Sequence, residues 1–270
     1  MAIVSQVMEL LQTIAPLDLA TKYGHDNVGL LIGHSQSRVD RAMLALDVTQ
    51  QVLKEAVKQR VQLIICHHPI IFKSLHLTDL SSSGKLTLDI IKNNISVYSA
   101  HTNLDFVKDG INDYIALILG LKDIEPLQEY TPGGHGLGRV GSISTASAME
   151  FAKSIGVKLK DNLVSIIGEK SKKISRVAVI NGAGGGDTNS IDWAMSKHAD
   201  CLVTAEVKHH VAIYAKENDF VLIECQHYCM EHPYIEVLCA KLNSLSVQNA
   251  LGVFFLQALS ETNLRQSIFD

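Results

Sequence analysis

The chain has 270 residues, 47% of them hydrophobic and 19% charged, enough apolar material for one large or two modest cores and too much for a disordered or fibrous protein. A formal net charge of -4, with no basic run beyond short pieces such as KSKK (170–173), leaves no electrostatic footprint for duplex nucleic acid, although nucleotides stay open as ligands. Five cysteines without a C-x-x-C pair read as reduced, buried thiols in a cytoplasmic protein, and the spacing of Cys225 and Cys229 around His227 matches no familiar zinc pattern.

The N-terminal stretch MAIVSQVMELLQTIAP carries Ile3, Val7, Leu10, Leu11 and Ile14 at helical spacing and lacks a positive leader, so it predicts an amphipathic helix rather than a signal peptide. RAMLALDVTQ predicts a strand ending at Asp47, followed by a helix over about 50–59 and a second strand in VQLIICHHPI, a unit of βαβ type. Pro69 has no N–H to donate and pushes His68 out of helical backbone, so this strand stops at His67 and His68. Helical spacing resumes in GKLTLDIIKNN, leads into the strand ISVYSA, and returns in INDYIALILGL. The Gly- and Pro-rich segment at 125–141 is the expected boundary between a first α/β half, 1–125, and a second, 126–225; residues 226–270 form a C-terminal segment expected to pack back on the first half. The second half shows strands near 138–142 and in NLVSIIG, RVAVING, DCLVTAE and FVLIECQ, with helices starting near Ser147 and Ser190. A helix over 234–242 and a strand in GVFFL close the chain; the uncharged stretch 242–260 is broken by Asn, Ser, Gln and Gly and does not read as a membrane span.

Three of the strand ends carry the same cargo. They are His67 and His68 in ICHHP, His101 and Asp105 in SAHTNLD, and His227 and Glu231 in ECQHYCME. Ligands of open α/β sheets gather outside the carboxyl ends of the strands, and a mixed set of imidazoles and carboxylates suits Zn, Fe or Mn better than Mg or Ca. One catalytic metal takes about three protein ligands, so six candidates are more economically read as a pair of divalent ions. Other candidates are weaker: Asp47 as a carboxylate behind the ligands or a helix cap, His25 and Asn27 in a loop toward substrate, and Lys208 as a cation for a phosphate. The glycines of NGAGGGD do not complete a dinucleotide fingerprint and predict a tight turn.

HDNVGLLIG, ALDVT, LIICHHPIIF, SAHTNLD, NGAGGG, ADCLVTAEVKHH and QHYCMEH occur in the order seen in the Ngg-interacting-factor-like family, whose members are often labelled GTP cyclohydrolase 1 type 2 homologues. The likeness spans nearly the whole chain and resembles the short form without an inserted domain. It implies two similar α/β domains of layered α/β/α architecture, a dinuclear centre at strand ends in the cleft between them, and a ring-shaped homohexamer. The family's ligands fall on His67, His68, Asp105, His227 and Glu231, with His101 either a ligand or a residue that orients one. Gln226 stands where the family pattern has glycine, and Thr204-Ala205-Glu206 where it has Thr-Gly-Asp.

Two function classes follow. Two divalent ions that activate water suit a hydrolase acting on a nucleotide or small phosphorylated substrate. The alternative is a metal-binding regulatory or scaffold protein without turnover. No residue of the chain reads guanine specifically.

Overall fold

The computed structural model describes residues 1–21, 26–73 and 75–267. The protein is α/β, and the chain forms two compact units: Met1–Leu104 with His232–Thr262, and Asp105–Glu231 with Asn263–Asp270.

The first unit is built on a five-stranded sheet in the order Phe254–Gln257, Arg41–Ala45, Leu63–Cys66, Ser96–Ser99, Gly29–Ile32. Its first three pairings are parallel and the last is antiparallel. Leu63–Cys66 and Ser96–Ser99 are buried along their full length, as central parallel strands covered on both faces must be. The helix Gln50–Lys58, capped by the Thr49 hydroxyl, turns Val52, Leu53 and Ala56 onto Met43, Ile64 and Val97. The N-terminal helix runs Val4–Ile14 and buries Val7, Leu10, Leu11 and Ile14, the stripe its periodicity predicts.

Register matters more here than strand count. Ala45 pairs with Cys66, and Cys66 with Ser99, so three carboxyl ends finish level. Asp47, His67 and His68, and His101 therefore leave the sheet at one edge. Bonds from His67 N–H to the Ala45 carbonyl (3.1 Å), His68 N–H to Leu46 (3.0 Å) and Ala100 N–H to Cys66 (2.9 Å) carry the ladder up to them.

The second unit repeats the device on a six-stranded mixed sheet, ordered Lys122–Thr131, His135–Ser147, Lys173–Val179, Cys201–Thr204, Val221–Glu224, Ser165–Ile167. Lys173–Val179, Cys201–Thr204 and Val221–Glu224 are mutually parallel, and Val179 pairs with Val203 while Thr204 pairs with Glu224. Beyond their level ends come Asn181, Glu206 and His227.

The Gly- and Pro-rich stretch at 125–141, expected as the boundary between two halves, forms most of the antiparallel hairpin of this sheet. Its glycines serve close packing, since a Cβ on Gly136 would sit 1.9 Å from the Gln128 carbonyl oxygen. The chain passes between units at Leu104–Asp105, inside the short helix Thr102–Phe106, at Glu231–His232, inside the helix His227–Gln248, and at Thr262–Asn263. That second helix starts earlier than the predicted 234–242. Pro233 lies inside it and withholds a hydrogen bond from the carbonyl four residues back, which in sequence looks like a start signal rather than an interior residue. Among the described residues no helix is long and apolar enough to cross a membrane.

Candidate metal centre

In the first unit one ring nitrogen from each of His67, His68 and His101 lies within 4.8 Å of the others. The opposite nitrogen of every ring is committed. His67 Nδ1 faces the Ala100 carbonyl oxygen at 2.9 Å, His68 Nδ1 faces Asp47 Oδ1 at 2.8 Å, and His101 Nδ1 faces both Asp26 oxygens at 2.9 and 3.0 Å. These partners are acceptors only, so each Nδ1 carries a proton and Nε2 is the nitrogen through which the ring could coordinate a metal. Histidines that bind metals are held in this way, with the non-ligating N–H on a carboxylate or carbonyl oxygen.

Asp26 is itself well anchored, accepting from the Thr102 N–H (3.1 Å) and hydroxyl (2.6 Å). Burial raises its pKa, but hydrogen bonds from His101 and Thr102 outweigh that and hold the carboxyl well below its usual range, so it stays an ionised acceptor. Asn27 does not reach the imidazoles through a hydrogen bond; its amide donates to the Ile71 carbonyl and ties down the loop after Pro69. His25 lies outside the described residues. Cys66 is buried, with its thiol pushed up to about 12 by desolvation, which keeps it a protonated core residue.

In the second unit His227 and Glu231 stand one helical turn apart, and their side chains meet at 2.8 Å, Nε2 to Oε2. His227 Nδ1 faces Glu206 Oε1 at 2.7 Å. Glu206 therefore does for His227 what Asp47 does for His68, and it does so from left-handed backbone at φ +55°. Gln226 places its N–H and Nε2 on Asp161 at 2.6 and 2.7 Å and so anchors the start of the helix. The two places where the chain departs from the expected pattern thus support the positions of His227 and Glu231. Asp105 joins Glu231 through Asn181, whose Nδ2 reaches an oxygen of each.

The glycine segment forms a 3-10 turn, Gly182–Gly186. A Cβ on Gly182, at φ +59°, would stand 2.7 Å from Glu231 Oε1 and 3.4 Å from His227 Nε2, so glycine is required where backbone meets the ligands. Lys208 is exposed at the start of the helix His209–Glu217, with Nζ beside Gly186. A cavity of about 850 Å³ elsewhere in this unit, lined by Met149, Lys153, Lys160 and Lys170 among others, includes none of these donors.

Of the residues that orient the candidate donors, Asp47 is legible in the sequence, and it faces His68 as a carboxylate behind a ligand would. Asp26, Glu206 and Asn181 each lie inside a quoted motif, yet no local pattern marks them as partners of His101, His227 and Asp105.

The donor chemistry fits a divalent transition ion. Three imidazoles with Nδ1 on oxygen acceptors stand together in one unit, and an imidazole with two carboxylates stands in the other. Fold and side chains thus define an α/β protein that carries, in each of its two units, residues able to hold a metal at the ends of parallel strands. The chain belongs to the Duf34/NIF3 (NGG1p interacting factor 3) family, whose model matches residues 2–261. It is 35% identical over 243 residues to a GTP cyclohydrolase 1 type 2 homolog of Clostridium acetobutylicum, covering 88% of this chain and 89% of that one. Reduced HcgD from Methanocaldococcus jannaschii superposes with a TM-score of 0.79 at 29% identity, over 95% of this chain and 98% of that one. A Bacillus cereus protein related to NIF3 gives a TM-score of 0.90 over 98% and 99% of the two chains; at 22% identity that likeness speaks for the fold.

Proposed function

We propose that His67, His68, His101, Asp105, His227 and Glu231 act together as the ligands of two divalent transition ions, and that the protein hydrolyses a nucleotide or small phosphorylated substrate. The observation that supports this reading best is the uniform setting of the three imidazoles in the first unit, each with Nδ1 on an oxygen acceptor and a ring nitrogen within 4.8 Å of those of the other two. His101 is included as a ligand because Asp26 orients it as Asp47 orients His68. Divalent ions bound there supply electrophilic activation of water and of a phosphoryl or ring oxygen.

The chain's own residues do the rest. Asp47, Asp26 and Glu206 hold the imidazoles in one tautomer, and the two carboxylates offset the cationic charge. Lys208 offers a mobile cation for a phosphate on the same unit as His227 and Glu231. The name of the Clostridium acetobutylicum relative supports a nucleotide as the class of substrate. Assembly as a ring hexamer belongs to the same proposal and rests on family resemblance; light scattering of the purified protein at micromolar concentration tests it.

The activity is tested by restoring the native metal, once identified by elemental analysis, and measuring turnover on a panel of nucleotides and phosphoesters. Turnover that is lost both on chelation and in Glu231→Ala supports the hydrolase. If the loaded protein turns over nothing, while a partner protein binds only the loaded form, a regulatory role replaces it.

A further inference from the structure

In the second unit one amide touches both carboxylates of the candidate ligand set. Asn181 is 6% exposed. Its Nδ2 donates to Asp105 Oδ1 at 2.7 Å and to Glu231 Oε1 at 2.9 Å. An amide NH₂ has two hydrogens, and each carboxylate takes one.

The orientation of that amide is dictated by a second one. Asn112, fully buried on the helix Ile111–Leu119, accepts from the Asn181 backbone N–H at 3.0 Å. Its Nδ2 donates to Asn181 Oδ1 at 2.7 Å and to the Asp105 carbonyl at 3.1 Å. Turning Asn181 over would set an oxygen against two carboxylates and an NH₂ against an NH₂. Turning Asn112 over would oppose its NH₂ to the Asn181 N–H and its oxygen to the Asp105 carbonyl. A single arrangement satisfies the network.

Two carboxylates drawn to one nitrogen repel, and Glu231, 1% exposed, is desolvated as well. A neutral double donor holds both in place without bringing a positive charge of its own. Lysine at this position would neutralise the pair; aspartate would add a charge and remove both donors. We propose that Asn181, locked by Asn112, is the positioning residue that sets Asp105 and Glu231 as a pair for a divalent cation. This inference rests on the metal centre proposed above.

The test compares full-length wild type with Asn181→Asp, Asn181→Leu and Asn112→Leu. Each protein is stripped with a chelator and titrated with Co²⁺ as the probe, read by visible absorption and by elemental analysis after dialysis. Melting of the stripped proteins is followed in parallel. Wild type is expected to bind roughly two ions. Asn181→Asp and Asn181→Leu are expected to lose about 10- to 100-fold in affinity at one of them, with altered absorption, and Asn112→Leu to lose less. Should Asn181→Asp fail to fold, Asn181→Leu introduces no charge and carries the comparison. Wild-type affinity and spectrum in the Asn181 variants, with only a lower melting temperature, would mean a merely structural role and overturn the proposal. If wild type itself binds no Co²⁺, the metal centre falls and this inference with it, an outcome distinct from the first.

Discussion

His68 and Asp47 are joined by a 2.8 Å contact between Nδ1 and Oδ1, made across two parallel strands whose ends finish level. Asp47 is half exposed, so the pair adds little to folding stability, at most about 1 kcal/mol. Its consequence is the tautomer. Asp47→Ala releases the ring, and metal affinity should fall by about 10- to 100-fold while the melting temperature of the metal-free protein barely moves. Competition against a chelator of known strength reads the affinity; wild-type binding in the variant would remove Asp47 from the centre.

Occupancy should follow the carboxylates. Replacing Asp105 or Glu231 by Ala should empty at least one of roughly two metal positions, because six donors suit two ions better than one. Elemental analysis of the protein as purified measures this directly. Full occupancy in the double variant would take both residues out of the ligand set.

Metal binding should weaken in mild acid. The imidazoles coordinate only when neutral, so affinity should fall as pH drops from neutral into mild acid, with protons taken up as metal leaves. Calorimetric titrations in buffers of different ionisation enthalpy count those protons. Affinity that stays flat from neutral pH to about 5.5 would mean that histidines are not the ligands.

A separate pH effect belongs to Glu261, whose side chain is 3% exposed and accepts from the Leu46 and Asp47 N–H groups at 3.0 and 2.8 Å. Burial pushes its carboxyl up to about 7. Between an unfolded value of about 4.3 and that folded value, the native state binds more protons than the unfolded state. Stability of the metal-free protein should therefore fall as pH rises through this window, by on the order of 3 kcal/mol from this group, and level off above it. Glu261→Gln should flatten the slope, although it gives up one of the two backbone contacts. Urea unfolding at pH 5 and pH 8 checks this, and a wild-type slope in the variant would assign the effect to other groups.

Much of the centre is visible in the chain alone. Pro69 after His68 stops a buried strand at two imidazoles, and the four-residue spacing of His227 and Glu231 puts both on one helical face. The segments 63–66, 96–99, 201–204 and 221–224 are read correctly as strands, and the continuous apolar run before His67 marks the first of them as buried on both faces of a parallel sheet. The stretch at 125–141 misleads for a physical reason: glycine serves a linker and a tightly packed hairpin equally well, and composition does not separate the two.

What the sequence by itself determined is the kind of donor and its place at a strand end, since strand length, proline and helical spacing act over a few residues. Tertiary structure decided which way each donor faces. Asp26 meets His101 across 75 residues of chain, and Asn181 meets Asp105 across 76. Such contacts depend on the register in which distant strands pair, and that register comes from packing of the whole sheet, which no local pattern records.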